Sequence, residues 1–413
     1  MKIVTISPEQ FDKYAKRHRY RNYYQTSAYG NTMIKFGFNV HYLGITDDSN
    51  TLIGASLIIY REVFMKHKIA YAPRGMLFNY ENPNQLKELV EKLKKILGKQ
   101  GFMLLKIDPY IPSTIRDHEG NIMNFNNQVN LIMANLENAG FIHQGKTLFF
   151  EGEKPRWESL VLLNQDIRTI FNSFDKRTRH KIRKAANSGI ECYKEPSNNI
   201  NVLYNFIKRK SPKPIEFYRE LISNYGDNAE VYYARINTEV YVINSRRAYE
   251  REMEKNDEIA EKIQNMNVSP QIKNSLLNKK MESDKLLNTY KTNMVEATNL
   301  LKEHPEGIIV AGAIVIKYDN SAFLYMDGFD TKYSNLNPSY LLKWRLIDDY
   351  NKQHLKYLNL NGIVGEFERK NKYSGLNEMK LGFNSIITEY IGEFDVILNN
   401  FTYNLYKSFN KNK

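Results

Sequence analysis

Gly54-Ala55-Ser56-Leu57-Ile58-Ile59-Tyr60 is matched near the other end of the chain by Gly312-Ala313-Ile314-Val315-Ile316-Lys317-Tyr318. Both stretches are rich in β-branched and aromatic residues and read as strands. Each precedes a second short apolar strand, at 69–72 and 322–326, and then an amphipathic helix, at 84–97 and 338–353. Further strands follow at 102–107 and 357–360, and Ala139-Gly140-Phe141-Ile142 is echoed by Leu381-Gly382-Phe383-Asn384. Because the order of elements repeats, two similar α/β units are predicted, each a mixed sheet with flanking helices. The repeat is far too long for a solenoid.

No glycine occurs between Gly226 and Gly307. Within that stretch, 246–267 and 272–301 read as two helices. Ile272, Leu276, Leu286, Tyr290, Met294, Ala297 and Leu301 fall mostly on a seam of three and four steps, interrupted by Lys279 and Ser283. Asn267-Val268-Ser269-Pro270 supplies a turn, since proline suits the start of the next helix. An antiparallel coiled-coil arm is therefore expected, inserted in the second unit at a hairpin tip, where insertion disturbs a host fold least. The boundaries that follow are 1–150 for the first unit, 151–240 with 305–385 for the second, and 241–304 for the arm. Residues 386–413 form a C-terminal segment returning to the first unit.

The chain has 413 residues, enough for two or three domains, and 42% hydrophobic residues, enough for real cores. No apolar run is long enough to span a bilayer, and Met1-Lys2-Ile3-Val4-Thr5 lacks a signal-peptide core. A single cysteine, Cys192, excludes an intramolecular disulfide and a cysteine-rich metal site, so a cytoplasmic, reducing location is the expectation. The net charge of +13 predicts attraction to polyanions: nucleic acid, nucleotide phosphates or an anionic membrane face. Phosphate-loop, dinucleotide-binding, nucleophile-elbow and zinc-protease motifs are all absent, which removes weight from the corresponding enzyme classes.

The densest positive cluster is Lys176-Arg177-Thr178-Arg179-His180-Lys181-Ile182-Arg183-Lys184, on a helix ending at Gly189. Arg179 and Arg183 share one face at helical spacing. The cluster is either a phosphate clamp, since guanidinium binds phosphate bidentately, or a solvated surface favoured by the helix dipole. Lys106-Ile107-Asp108-Pro109 puts an acid at the end of a buried strand, where ligands collect in open α/β sheets; Asp-Pro is also a common turn opener. Tyr71-Ala72-Pro73-Arg74-Gly75 borders either a cleft or an ordinary loop. Lys35 and Lys380 are each a cleft cation or a snorkelling surface lysine.

In four segments the chain resembles the Fem aminoacyltransferases, the tRNA-dependent enzymes that build peptidoglycan cross-bridges. They are Tyr24-Gln25-Thr26-Ser27 with Lys35 and Gly37; Tyr71 to Gly75 with Lys106 to Pro109; the Lys176 to Gly189 helix; and Asn337-Pro338-Ser339-Tyr340-Leu341-Leu342-Lys343-Trp344, running on to Lys380-Leu381-Gly382-Phe383 and Glu389-Tyr390-Ile391-Gly392-Glu393-Phe394. The arm is a mark of the longer, staphylococcal-type members. The resemblance implies two domains like the acetyltransferase (GNAT) fold. The loop before the Leu341 helix lacks the glycine-rich pyrophosphate signature of acetyl-CoA enzymes.

The same resemblance implies a donor, aminoacyl-tRNA, and an acceptor, a lipid-linked or UDP-linked muropeptide. No cofactor or metal is implied. Lys35, Thr178 and Arg179 would hold precursor phosphates, with Arg183 added one turn on. Asp108 would lie beside the acceptor peptide, Tyr325 would contact the precursor, and Lys380 would sit at the reaction centre or near the tRNA end; Met379 stands where the family often has phenylalanine. Lys35, Asp108, Arg179 and Lys380 are thus expected to converge on one groove between the two units. Glycine is the favoured amino acid, with alanine and serine as alternatives. Lysine and diaminopimelate acceptors stay open, as do a homodimer, docking to sister enzymes and peripheral contact with the inner membrane face. The rival readings are an acetyl-CoA-type N-acyltransferase and a non-catalytic RNA or protein adaptor.

The implied reaction is aminolysis of an activated ester. Alignment of two large substrates is its main demand, and Lys380 is the candidate to stabilise the oxyanion. At an ordinary aspartate pKa, Asp108 is a weak base for an amine, so orientation of the ammonium is its expected role.

Overall fold

The computed structural model describes residues 1–64, 66–209, 213–265 and 270–411. Among them, sixteen strands form two open sheets in a mixed α/β fold. The first sheet runs, in spatial order, through Lys2–Thr5 (β1), Asn39–Thr46 (β2), Leu52–Phe64 (β3), His67–Ala72 (β4), Phe102–Ile107 (β5), Phe394–Ile397 (β16) and Phe141–His143 (β8). The second runs through Ile190–Lys194 (β10), Ala229–Ile236 (β11), Ile308–Tyr318 (β12), Ser321–Phe329 (β13), Tyr357–Ile363 (β14), Trp157–Leu162 (β9), Ile386–Tyr390 (β15), Pro112–Arg116 (β6) and Ile122–Phe125 (β7).

The repeated sequence is a repeated structure. β3 and β4 form a hairpin, the Pro83–Lys99 helix crosses over, and β5 returns parallel to β4. β12 and β13 form a hairpin, the Pro338–Lys352 helix crosses over, and β14 returns parallel to β13. Proline opens both helices, where its missing N–H costs nothing. The first buries Leu86, Leu89, Val90, Leu93 and Leu97 along one stripe. The two matching glycines share a cause. A Cβ on Gly54 would lie 2.6 Å from the Phe78 ring, and one on Gly312 would lie 2.8 Å from the Tyr233 ring.

Three strands divide the chain differently from the boundaries read in the sequence. Residues 112–125, placed there in the first unit, form β6 and β7 on the second sheet. Residues 386–390, placed in the returning segment, form β15, also on the second sheet; the chain rejoins the first only at β16. The two crossing points touch, the Ile391 N–H donating to the Ile111 carbonyl at 3.1 Å. A strand's period of two reveals that it is a strand, not which sheet takes it.

Helices Thr238–Asn265 and Pro270–Glu303 form a hairpin between the antiparallel neighbours β11 and β12. Of the expected turn, 267–269 lie outside the described residues, and Pro270 opens the second helix. The seam differs from the sequence reading: Ile272 is 51% exposed and Leu286 39%. Ser283, read as an interruption, is instead buried, donating to Glu252 at 2.6 Å. Beside it Asn256 donates to Asp284 at 2.8 Å, and Lys280 to Asn256 at 2.6 Å. A polar layer at mid-length fixes the register of the pair, a job that apolar periodicity cannot reveal.

Candidate functional site

β4 and β5 end side by side at Ala72 and Ile107, so the residues that follow them emerge together. Arg74 takes a left-handed backbone (φ 53°), and its N–H donates to Asp108 Oδ1 at 2.6 Å. Asp108 is 2% exposed. Among the described residues its Oδ2 accepts no hydrogen bond; Arg74 Nη1 lies 3.6 Å away. Burial pushes the carboxyl up to about 7, against the pull of Arg74 and Lys154. Asp108 borders a cavity of about 220 Å³ shared with Lys106, Lys154, Arg156 and Glu393.

The guanidinium of Arg74 continues into the second sheet. Nη2 donates to Glu158 Oε1 on β9 at 2.6 Å. Glu158 Oε2 accepts from Asn359 at 2.7 Å, Tyr110 at 3.0 Å and Tyr390 at 3.1 Å. The two tyrosine rings stack at 4.5 Å, and the Arg74 Cζ lies 5.3 and 5.0 Å from their centroids. A buried charge pair survives only with its remaining lone pairs satisfied, as here.

Lys380 reaches the same network from the Ser374–Leu381 helix. It is buried, and its Nζ donates to the Gly362 carbonyl at 2.7 Å; Gly362 is the β14 residue paired with Glu158. Burial lowers its pKa to about 8, only partly offset by Asp327 and, more weakly, Glu158. Asp108 and Lys380 are therefore joined through Arg74, Glu158 and Gly362.

Tyr325 is buried in a tyrosine cluster, its ring 6.2 Å from Tyr23 and 6.4 Å from Tyr218. Lys213 Nζ lies 3.5 Å from the Tyr325 hydroxyl and 3.8 Å from the Phe217 ring centre, and burial, with Lys154 nearby, lowers its pKa to about 7. Lys154 sits over the Tyr24 ring at 4.1 Å and feels both Asp108 and Arg74. Lys154 thus connects the tyrosine cluster to Asp108.

The other sequence candidates lie further out. Lys35 is exposed at the end of the Ser27–Lys35 helix, next to Phe36, whose ring meets Phe217 at 5.2 Å. Thr178 is buried on the Lys176–Asn187 helix, against Gly382. It lines a cavity of about 450 Å³ with Arg177, Lys181, Tyr340, Phe367, Arg369 and Lys370. Arg179 Nη1 donates to the Asn172 carbonyl at 2.7 Å, and Arg183 lies over Phe171 at 5.3 Å. No contact among the described residues joins Lys35, Arg179 or Arg183 to Asp108 or Lys380.

Sequence reasoning missed Glu158, Lys154 and Lys213, and left the stretch containing Arg74 open between a cleft border and an ordinary loop. Glu158 carries a usable signal: a lone carboxylate inside the otherwise buried strand Trp157-Glu158-Ser159-Leu160-Val161. Lys154 and Lys213 lie in polar loops and carry none.

A family model described as the FemAB family matches residues 6–411. An aminoacyltransferase FemA from Staphylococcus epidermidis is 24% identical over 426 aligned residues covering 100% of both chains. One from Staphylococcus aureus is 23% identical over 424, covering 100% of this chain and 99% of the other. A crystal structure of FemX superposes with a TM-score of 0.72 at 18% identity, over 98% of this chain and 99% of its own.

Proposed function

Because the chain belongs to the FemAB family and is an aminoacyltransferase, we propose that it carries an amino acid from aminoacyl-tRNA to a stem-peptide amine of a peptidoglycan precursor. The two sheets would be the cores of two acetyltransferase-like units. One observation carries the reading. A buried carboxylate whose Oδ2 accepts no hydrogen bond among the described residues and a buried lysine of lowered pKa hang on one network spanning both sheets.

The acceptor amine attacks the ester carbonyl; the new C–N bond forms and the C–O bond to the tRNA ribose breaks. Asp108 Oδ2 takes the ammonium proton, and the second proton that the nitrogen loses as the amide forms ends on the leaving ribose oxygen. The carboxyl's rise to about 7 alters the argument from an ordinary aspartate, because it narrows the gap to the ammonium and makes proton acceptance less uphill. Lys380, charged below about pH 8, would stabilise the developing oxyanion.

Lys35 and Lys213 flank the Phe36–Phe217 contact and would hold the precursor phosphates, with Tyr325 beside them. The cavity beside Gly382 sets cations (Arg177, Lys181, Arg369, Lys370) and rings (Tyr340, Phe367) among five carboxylates (Glu119, Asp175, Glu366, Glu368, Glu378), and its cations and rings would take a single-stranded nucleic-acid end. Thr178 would serve that donor side; Arg179 and Arg183 do not line the cavity. Glycine is the favoured cargo, on the resemblance to arm-bearing members.

The deciding assay combines the purified chain, tRNA charged with labelled glycine, alanine or serine, and a lipid-linked or nucleotide-linked muropeptide. Label entering the muropeptide supports the proposal and names the cargo. Label from acetyl-CoA alone would replace it with the acetyltransferase reading.

A further inference from the structure

Three elements meet at one end of the first sheet. From the β3–β4 hairpin, Lys68 N–H donates to the Gly101 carbonyl at 2.9 Å and Lys68 Nζ to the Gln100 carbonyl at 3.2 Å. Gly98, in the last turn of the Pro83–Lys99 helix, lies against Leu398, where a Cβ would stand 3.1 Å from the carbonyl oxygen. Leu398 N–H donates to the Met103 carbonyl at 2.9 Å and leads into the Asn400–Lys411 helix.

This end presents apolar side chains to water. Phe401 is 74% exposed, Leu405 38% and Val63 37%. Phe401 and Leu405 stand one helical turn apart and share a face. Lys66 on the hairpin and Lys95 and Lys99 on the Pro83–Lys99 helix are exposed at this end of the sheet, and none makes an ion pair among the described residues; Glu62 and Glu91 are the exposed acids on those two elements. An apolar stripe at an end that also carries exposed lysines is the pattern of a surface that settles into an anionic lipid interface.

We propose that this end of the molecule docks on an anionic bilayer. Phe401 and Leu405 enter the interface, and Lys66, Lys95 and Lys99 face lipid phosphates. The docking deepens the transferase reading and rests on it for its purpose, delivery of a lipid-linked acceptor. β5 starts at this end and Asp108 follows its far end, so its six residues put roughly 20 Å between bilayer and carboxylate. Lys35 lies toward the docking end: Phe38, three residues on, meets Arg61 of the hairpin at 5.8 Å. Precursor phosphates at Lys35 would then stay near the lipid while the stem peptide reaches Asp108.

The test is flotation of the full chain with vesicles of phosphatidylcholine, with and without phosphatidylglycerol. Binding is expected only with phosphatidylglycerol and should weaken with salt. F401E/L405E and, separately, K95E/K99E should each weaken it by about tenfold or more. Both variants should keep the parent's circular dichroism and its turnover with the nucleotide-linked acceptor, while losing turnover with the lipid-linked one in vesicles. Undiminished binding by both variants, or no binding by the parent, overturns the proposal. So does a parent dimer that F401E/L405E dissociates without any vesicle binding, because the patch is then an interface between copies. Vesicle binding without transfer to any acceptor would instead leave the docking intact and remove the transferase reading.

Discussion

Arg74 and Glu158 form an ion pair at 2.6 Å between the loop after β4 and the second sheet's β9, both nearly sealed from water. The pair fastens the two sheets to each other at the point where the proposed chemistry occurs. Removing Glu158 leaves Arg74 charged and buried, with the Pro155 carbonyl at 2.8 Å and Asp108 at 3.6 Å in place of its close carboxylate. Glu158→Ala should therefore lower unfolding stability by about 3–5 kcal/mol. Urea denaturation followed by circular dichroism measures this; a loss under about 1 kcal/mol would mean that water replaces the partner.

The pH profile of turnover should be bell-shaped. Asp108 must be ionised, so the rate rises with pH through about 7. Lys380 must be charged, so the rate falls as pH passes about 8. Asp108→Asn should cost about 10²–10⁴-fold in turnover and abolish the rising limb. Lys380→Met should cost about 10²–10³-fold and abolish the falling limb. If D108N kept both limbs and the parent rate, the carboxylate would have no part in the reaction.

The cavity beside Gly382 offers a separate readout. Arg177→Ala and Lys370→Ala should weaken aminoacyl-tRNA binding and each reduce the slope of log affinity against log salt by about one. Filter binding across a salt series checks this. KM for the nucleotide-linked acceptor should not move; a change confined to that KM would put the acceptor, not tRNA, in this cavity.

Gly54→Ala should destabilise by about 1–3 kcal/mol, because the added methyl meets Phe78 at 2.6 Å and Ile45 at 2.9 Å. Thermal unfolding should show the loss, and the double change G54A/F78L should recover part of it. No recovery would trace the cost to something other than this collision.

How much was legible follows from how local each signal is. The duplicated strand–strand–helix–strand order was readable because its periodicities lie within short windows of sequence. Asp108 and Lys380 were open between two roles by spacing, and only the family resemblance singled them out. The pair Arg74–Glu158 spans 84 positions and leaves no periodic trace. Ser283 looked like a flaw in an apolar seam because its partner, Glu252, sits on the other helix. Lys213 became interesting only once Tyr325 and Lys154 surrounded it.

The exchange of strands at Ile111 and Ile391 has a bearing on how the chain reaches its native state. A fragment ending near residue 150 would carry the β6–β7 pair without β15, the strand it adds to, and would miss β16, which bridges β5 to β8. Neither half can satisfy its own backbone alone. The polypeptide must be made almost to its last strand before either sheet is complete, so both should melt in a single cooperative event.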